Sequence, residues 1–356
     1  MRILHVITTL NTGGAERLMV DLLPLLIGKG NQVELLLFNG FMTPFKLELE
    51  KRGVIIHELS VNDKGSNVYN PMHLFRLLRY MKGYDIIHTH NTACQLYVPI
   101  AKLLARSRVK LVTTEHNTTS RRRDFWWFRP IEKWMYRQYA NIVCIGDVSR
   151  ENLQKYLNKE SRACVIYNGI DTQRFIQPVK NISHQDNFII TMVAGFRPQK
   201  DQDTLLRSFT HLPSNYQLRL VGAGEREYEL RLLCQQLNLT DRVDFMGIRM
   251  DVPEILEQSD VVVLSSHWEG LSLSSIEGMA SGRPFVASDV DGLHEIVIDA
   301  GVLFPHGDDL ALAQSIQRLC ENPDYYRKVA EACQNRAKEY DISVMADAYH
   351  RLYQTL

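Results

Sequence analysis

The sequence predicts an α/β protein built as two doubly wound domains, each a parallel sheet covered by helices. Three observations carry this. Short apolar runs alternate with amphipathic stretches along almost all of the 356 residues. The alternation breaks once, at residues 176–187 (Ile-Gln-Pro-Val-Lys-Asn-Ile-Ser-His-Gln-Asp-Asn), which are polar, carry a proline and have no clear period. The length suits two domains, since one domain commonly takes about 100–200 residues.

In the first half the strand candidates are residues 3–7, 33–38, 54–59, 85–89, 109–113, 142–145 and 163–167. Each is a short run rich in Val, Ile and Leu, the composition of a strand buried on both faces. Helical spacing of apolar residues fills gaps between them, as at 16–28 and 72–82. Strands separated by helices imply βαβ units and hence parallel pairing. The stretch 176–187 reads as the interdomain linker. The pattern resumes with strands at 188–193, 217–221, 243–246, 261–264 and 284–287, and is nearly all helical after Asp309. The limits expected are therefore 1–176 and 177–340. In such sheets ligands bind beyond the carboxyl ends of the strands.

Bulk composition excludes several classes. Lys plus Arg and Asp plus Glu are 41 each, so there is no basic surplus of the kind nucleic-acid binders carry. The six cysteines are scattered with no C-x-x-C pair, which argues against structural zinc and for a reduced, cytoplasmic setting. No apolar stretch reaches the roughly 20 residues of a membrane span. The opening Met1-Arg2-Ile3-Leu4-His5-Val6-Ile7 reads as a buried strand, cut off by Gly13-Gly14, rather than as a signal peptide.

The densest chemical signal follows the strand at 261–264. It runs Ser266-His267-Trp268-Glu269-Gly270-Leu271-Ser272-Leu273-Ser274-Ser275-Ile276-Glu277. A strand, a loop and a helix start make an anion site, because the first backbone N–H groups and the positive dipole end both point outward. Small residues at Ser272, Ser274 and Ser275 admit a phosphate. Glu277, about one turn in, can accept both hydroxyls of a ribose, and Glu269, before the turn, can reach sugar hydroxyls. A surface loop with a capping serine and two solvated glutamates is the plainer alternative.

This stretch resembles the E-x7-E signature of the family 4, group 1 type retaining glycosyltransferases, and the similarity extends along the chain. Thr12-Gly13-Gly14-Ala15-Glu16-Arg17 resembles that family's glycine-rich first loop. Tyr167-Asn168-Gly169-Ile170-Asp171 resembles the segment closing its first domain, and Val193-Ala194-Gly195-Phe196-Arg197-Pro198-Gln199-Lys200 its diphosphate loop. Ser288-Asp289-Val290-Asp291-Gly292-Leu293-His294-Glu295 resembles the loop after the next strand. The resemblance implies a GT-B fold, two Rossmann-like domains facing each other across a cleft. The first would bind the acceptor and the second a nucleotide-diphosphate sugar, UDP- or GDP-linked. It also implies that a last helix, about 341–356, packs back on the first domain.

By the same resemblance Glu277 binds the ribose and Glu269 the donor sugar. Backbone N–H groups of Leu271, Ser272, Leu273 and Ser274 face the sugar and diphosphate, and Lys200 neutralises the phosphates. Negative charge grows on the leaving phosphate as the glycosidic bond breaks, so fixed cations and dipoles aimed there stabilise the transition state. Many relatives carry an arginine where this chain has Gly195. Arg197, two residues on, is the alternative source of that charge, and guanidinium suits bidentate phosphate contact. Gly13 and Gly14 open the first helix; a plain tight turn is one reading, and the resemblance implies backbone contact with the donor phosphate or acceptor. The base is expected near Gly247 and Ile248, read largely by backbone.

His116, in Thr114-Glu115-His116, follows a strand where the family often has a histidine reaching the donor sugar; a purely structural histidine is the alternative. His88 and His90 also end a strand, and with no third ligand evident they read as cleft histidines rather than a metal site. Two D-x-D sequences, Asp201-Gln202-Asp203 and Asp289-Val290-Asp291, match the metal motif of another glycosyltransferase fold whose architecture this chain lacks. The expectation is no metal and no cofactor. Arg121, Arg122, Arg123, Trp126 and Trp127 form a basic, aromatic stretch suited to an anionic membrane surface or the pyrophosphate of a lipid-linked acceptor. Packing of those aromatics onto the sheet is the alternative. The function expected is retaining sugar transfer to a saccharide or lipid-linked acceptor in cell-surface polysaccharide synthesis, with peripheral contact at the inner membrane face. The rivals are a nucleotide-sugar epimerase or hydrolase on the same fold, and an inactive sugar-nucleotide-binding scaffold.

Overall fold

The computed structural model describes residues 1–11, 13–61, 68–116, 126–157, 162–182 and 186–356, apart from the side chain of Trp127. It divides into two compact units, Met1–Gly169 with Ile342–Leu356, and Ile170–Asp341.

The first unit holds seven strands: β1 (Arg2–Ile7), β2 (Gln32–Leu37), β3 (Ile55–Glu58), β4 (Ile86–His90), β5 (Lys110–Glu115), β6 (Asn141–Cys144) and β7 (Ala163–Val165). They lie in the order β3-β2-β1-β4-β5-β6-β7, and every pairing is parallel. Side chains alternate between the two faces. Ile3 and Ile7 enter one core; Leu4 and Val6 enter the other. Both faces are therefore apolar, which is why β1 reads as an unbroken hydrophobic run. The helices Gly14–Gly28 and Ile342–Gln354 supply residues to the core of the first face. The last helix buries Tyr349 and Tyr353 to 1% exposure each, and Lys29 pairs with its Asp347 at 2.5 Å.

The second unit carries β8 (Phe188–Val193), β9 (Tyr216–Val221), β10 (Val243–Gly247), β11 (Val261–Leu264), β12 (Phe285–Ser288) and β13 (Val302–Phe304). Their order is β10-β9-β8-β11-β12-β13, again all parallel. Each sheet reverses its winding once, between β1 and β4 in the first unit and between β8 and β11 in the second. Those switch points are where neighbouring loops part and a ligand can enter.

Three readings of the sequence shift. The edge strand β13 has only three residues and gave no recognisable run. The helical pattern at 72–82 resolves into an α-helix, Met72–Leu77, tightened into a 3-10 turn, Leu78–Met81. The boundary falls after Gly169 rather than after residue 176, and the polar stretch 176–187 belongs to the second unit as far as it is described. Ile170 donates its N–H to the Tyr340 carbonyl at 3.0 Å, and Phe175 and Ile182 are buried in the second core. Arg283 and Gln334 donate to the carbonyls of Pro178 and Gln177. Backbone here is held by side chains from later in the unit, which a free linker would leave to solvent.

Candidate active site

In the second unit the loops after β8 and β11, the two strands flanking the switch point, meet. The loop after β8 passes Gly195 and the exposed Arg197 into a 3-10 turn, Pro198–Lys200. Its path is fixed by Phe196 N–H donating to the Ala223 carbonyl at 3.0 Å. Gly222 beside it sits at φ +145°, and a Cβ there would lie 2.1 Å from the Ala194 oxygen. The Gln199 carbonyl accepts from His267 N–H at 2.8 Å, and its Nε2 donates to the Trp268 carbonyl at 2.8 Å. These bonds zip the two loops together.

The consequence is an ion pair between two of the residues singled out by sequence. Lys200 Nζ lies 2.5 Å from Glu269 Oε1. Glu269 is 6% exposed and also accepts from Ser266 Oγ at 2.6 Å, with Gln199 Nε2 at 3.4 Å. A buried carboxylate needs this degree of satisfaction. Ser272 then caps the helix Leu273–Ala280 from an extended conformation without a side-chain capping bond; its Oγ lies 3.0 Å from Ser274 Oγ. Leu271 is a core residue, 9% exposed. Glu277 is partly buried one turn into the helix. The next residue, Gly278, lets that helix press on the sheet: a Cβ would lie 2.8 Å from Phe285 and Val262 side-chain atoms. Gly247 ends β10 at φ +69° and Ile248 beyond it is exposed.

Sequence reasoning did not show that residues 289–294 brace this loop. Glu269 N–H donates to the Asp291 carbonyl at 3.2 Å. Gly292 sits at φ +82°, where a Cβ would lie 2.3 Å from the Glu269 oxygen. Both the left-handed backbone and the space demand glycine. Gly292→Ala is expected to displace the Glu269 loop, cut activity at least tenfold and lower stability by about 1–3 kcal/mol. Steady-state kinetics with a thermal melt checks both.

In the first unit, Gly13 precedes the helix Gly14–Gly28 in an extended conformation (φ −157°) that any residue adopts. What favours glycine is space, because a Cβ would meet the Glu16 carboxylate at 2.3 Å. His116 lies just beyond β5, partly exposed. It does not stand alone: His90 Nδ1 is 3.0 Å from His116 Nε2, and His5 Nδ1 is 3.1 Å from His90 Nε2. His5, His88 and His90 therefore form a three-histidine cluster whose ring atoms come within 4.8 Å of one another, where the sequence showed only a pair. Burial pushes His5 down to about 3 and His116 to about 4. Burial, then the neighbouring histidines, holds His88 and His90 well below the usual range. All four rings are neutral at pH 7.

The two D-x-D sequences have local partners. Asp201 caps the helix Gln202–Ser208 through Thr204, Asp203 pairs with Arg226 at 2.5 Å, and Asp289 with His294 at 2.6 Å. Asp201 also groups with His267 and His306, one ligand atom from each lying within 4.8 Å of the others. Of the basic, aromatic stretch, Trp126 is 85% exposed, while Arg121, Arg122, Arg123 and the Trp127 side chain lie outside the described residues. Among those residues no helix is long and apolar enough to cross a membrane.

This chain matches known proteins in two consecutive blocks. Residues 12–174 match Glycosyltransferase Family 4, and residues 173–339 match Glycosyl transferases group 1. The chain belongs to the group 1 glycosyltransferases. This glycosyltransferase is 29% identical over 238 residues to the UDP-Gal:alpha-D-GlcNAc-diphosphoundecaprenol alpha-1,3-galactosyltransferase of Escherichia coli, covering 62% of the chain and 61% of that relative. It is 26% identical over 352 residues to the N-acetyl-alpha-D-glucosaminyl L-malate synthase of Bacillus anthracis, covering 92% and 89%. Its structure resembles that of Anabaena Alr3699/HepE in complex with UDP and glucose, with a TM-score of 0.85 and 23% identity over 100% of both chains. The enzyme has the GT-B fold, two α/β units each wound on a parallel sheet.

Proposed function

We propose that the enzyme transfers a sugar, with retention, from a UDP- or GDP-linked donor to a hydroxyl of a saccharide or lipid-linked acceptor in polysaccharide synthesis. The observation that carries the donor half is the Lys200–Glu269 pair, 2.5 Å apart, set on the loops after the two strands that flank a switch point and followed by a helix start at Ser272. A diphosphate placed there meets an ammonium, the N–H groups of Leu273 and Ser274 at the helix start and a helix dipole. The arrangement suits a leaving group whose charge grows as the sugar departs. Glu269 then takes sugar hydroxyls, Glu277 the ribose, and Arg197, exposed at the loop's edge, the outer phosphate oxygens. The E. coli relative, whose name gives a UDP-linked donor and a diphosphoundecaprenol-linked acceptor, supports both halves of the reading. The exposed Trp126 offers a lipid-facing anchor.

Two results test this. Nucleotide that binds only the folded protein raises its melting temperature in proportion to ln(1 + [L]/Kd). One of UDP, GDP and ADP is expected to stabilise the wild type. Glu277→Ala is expected to weaken that binding about 10- to 100-fold, the loss of hydrogen bonds to a charged acceptor worth about 1.5–3 kcal/mol. No stabilisation by any nucleotide or sugar nucleotide would favour an inactive scaffold. Stabilisation with consumption of the donor in the absence of any acceptor would favour an epimerase or hydrolase. The same site implies metal-independent transfer, with Lys200 and the helix start meeting the phosphate charge. Activity is expected to persist in excess chelator, and its loss would assign that work to a cation.

A further inference from the structure

Four histidines of the first unit, His5, His88, His90 and His116, form one chain of hydrogen bonds. His5 is on β1, His88 and His90 on β4, Thr114 on β5 and His116 just beyond it. The strand register sets His5 beside His88, and His90 beside Thr114. Each residue is an even number of positions from Ile3, Ile86 or Val112, which all enter the core that the last helix also fills. That helix contributes Tyr349 and Tyr353. In order, the contacts are His116 Nε2 to His90 Nδ1 at 3.0 Å, His90 Nε2 to His5 Nδ1 at 3.1 Å, and His5 Nε2 to Tyr353 Oη at 3.4 Å. They continue from Tyr353 Oη to His88 Nδ1 at 2.5 Å, His88 Nε2 to Thr114 Oγ1 at 2.8 Å, and Thr114 Oγ1 to Tyr349 Oη at 2.9 Å.

Both ring nitrogens of His5, His88 and His90 are thus engaged. A neutral imidazole has one N–H donor and one acceptor nitrogen. Fixing the proton on one ring therefore fixes it on the next, and with the Tyr353 proton donated inside the chain there are two self-consistent directions. In one, all four rings carry the proton on Nε2; in the other, all four carry it on Nδ1. The Tyr353 hydroxyl decides between them, since it has a single proton and two histidine neighbours. O–H donor bonds run shorter than N–H ones, so the hydroxyl proton belongs on the shorter contact, to His88 Nδ1; the longer one, to His5 Nε2, is then a weak accepted N–H.

We infer that Tyr353, His5 and His90 are positioning residues that hold His116 as the Nε2–H tautomer, leaving its Nδ1 as a bare acceptor for a substrate hydroxyl. The contact with substrate rests on the proposed transferase reading; the tautomer does not. A hydroxyl that hydrogen-bonds to His116 Nδ1 is oriented with its own oxygen lone pairs turned away from the ring. The opposite tautomer would offer a donor there and turn the same hydroxyl around.

Histidine-selective 15N labelling and long-range nitrogen–proton correlation spectra read the tautomers directly, with His116→Gln and His90→Gln used for assignment. All four rings are expected as Nε2–H in the wild type, and any one of them as Nδ1–H overturns the inference. Tyr353→Phe removes the hydroxyl that sets the direction. It is expected to mix the tautomers of His5, His90 and His116 and to lower kcat about tenfold with donor KM unchanged. Unmixed tautomers in that variant overturn the role of Tyr353, and mixed tautomers at full kcat overturn the link to chemistry. An inactive wild type with four Nε2–H rings would instead sink the transferase reading and leave the chain of bonds standing.

Discussion

Lys200→Ala is expected to cut turnover on the order of 100- to 1,000-fold while donor binding weakens far less. A group that meets charge developing on a leaving phosphate acts mainly in the transition state, so kcat falls rather than affinity. The structure adds a second effect. Lys200 lies 2.5 Å from Glu269, and its removal strands a carboxylate that is 6% exposed, with Ser266 as its nearest hydrogen-bond donor. Leaving such a group short of a partner costs about 3 kcal/mol. The stability effect is isolated in the double variant Lys200→Met with Glu269→Gln, compared with Glu269→Gln alone for turnover. That pair of changes removes the stranded charge, so the melting temperature recovers while turnover stays low. Recovery of turnover along with stability would make Lys200 a structural cation only.

The largest loss of stability is expected at Arg283, which touches no proposed ligand. Its guanidinium is buried at 4% exposure. It donates to four carbonyls: Ser259 at 3.1 Å, Pro178 and Ser281 at 3.0 Å, and Glu257. Arg283→Ala would take this donor from all four oxygens, of which Ser259 keeps Lys180 Nζ at 3.4 Å, and release the segment around Pro178 from the unit. Hydrogen bonds to charged donors contribute about 1.5–3 kcal/mol each and do not add fully. A loss of about 4 kcal/mol follows, at the upper end for a single change. For a unit of this size that is about 8–16 °C in melting temperature. Arg283→Lys is expected to recover only a small part, because an ammonium cannot present the planar fork. A melting temperature within about 2 °C of the wild type would overturn this account.

The sequence was most readable where one physical rule dominated. Two-faced burial made Ile3 to Ile7 and Val261 to Leu264 plain strands, and the loop-to-helix sequence at Ser272 to Glu277 marked its own helix start. Lys200 and Glu269 were each legible as candidates, but their pairing depends on β8 lying beside β11, a register no local pattern encodes. Gly292 was visible only as part of a motif; its reason, the approach of the Glu269 carbonyl, is tertiary. The domain boundary was misplaced because residues 176–182 look like a linker when read alone. Their carbonyl partners, Arg283 and Gln334, lie more than a hundred residues later. His88 and His90 looked like a pair for the same reason, since His5 reaches them only through the parallel alignment of β1 and β4.

The last helix also sets the order in which the protein can mature. Tyr349 and Tyr353 complete a core whose other members, such as Ile3, Leu22 and Val33, lie near the start of the chain. On the ribosome, domains generally fold in the order they emerge. Here the unit translated first is the one that finishes last. Until the helix Ile342–Gln354 has left the exit tunnel, the apolar face it covers stays open, while Ile170–Asp341 can already close on itself. A stalled or shortened transcript would therefore yield a sound second unit joined to an unfinished first one.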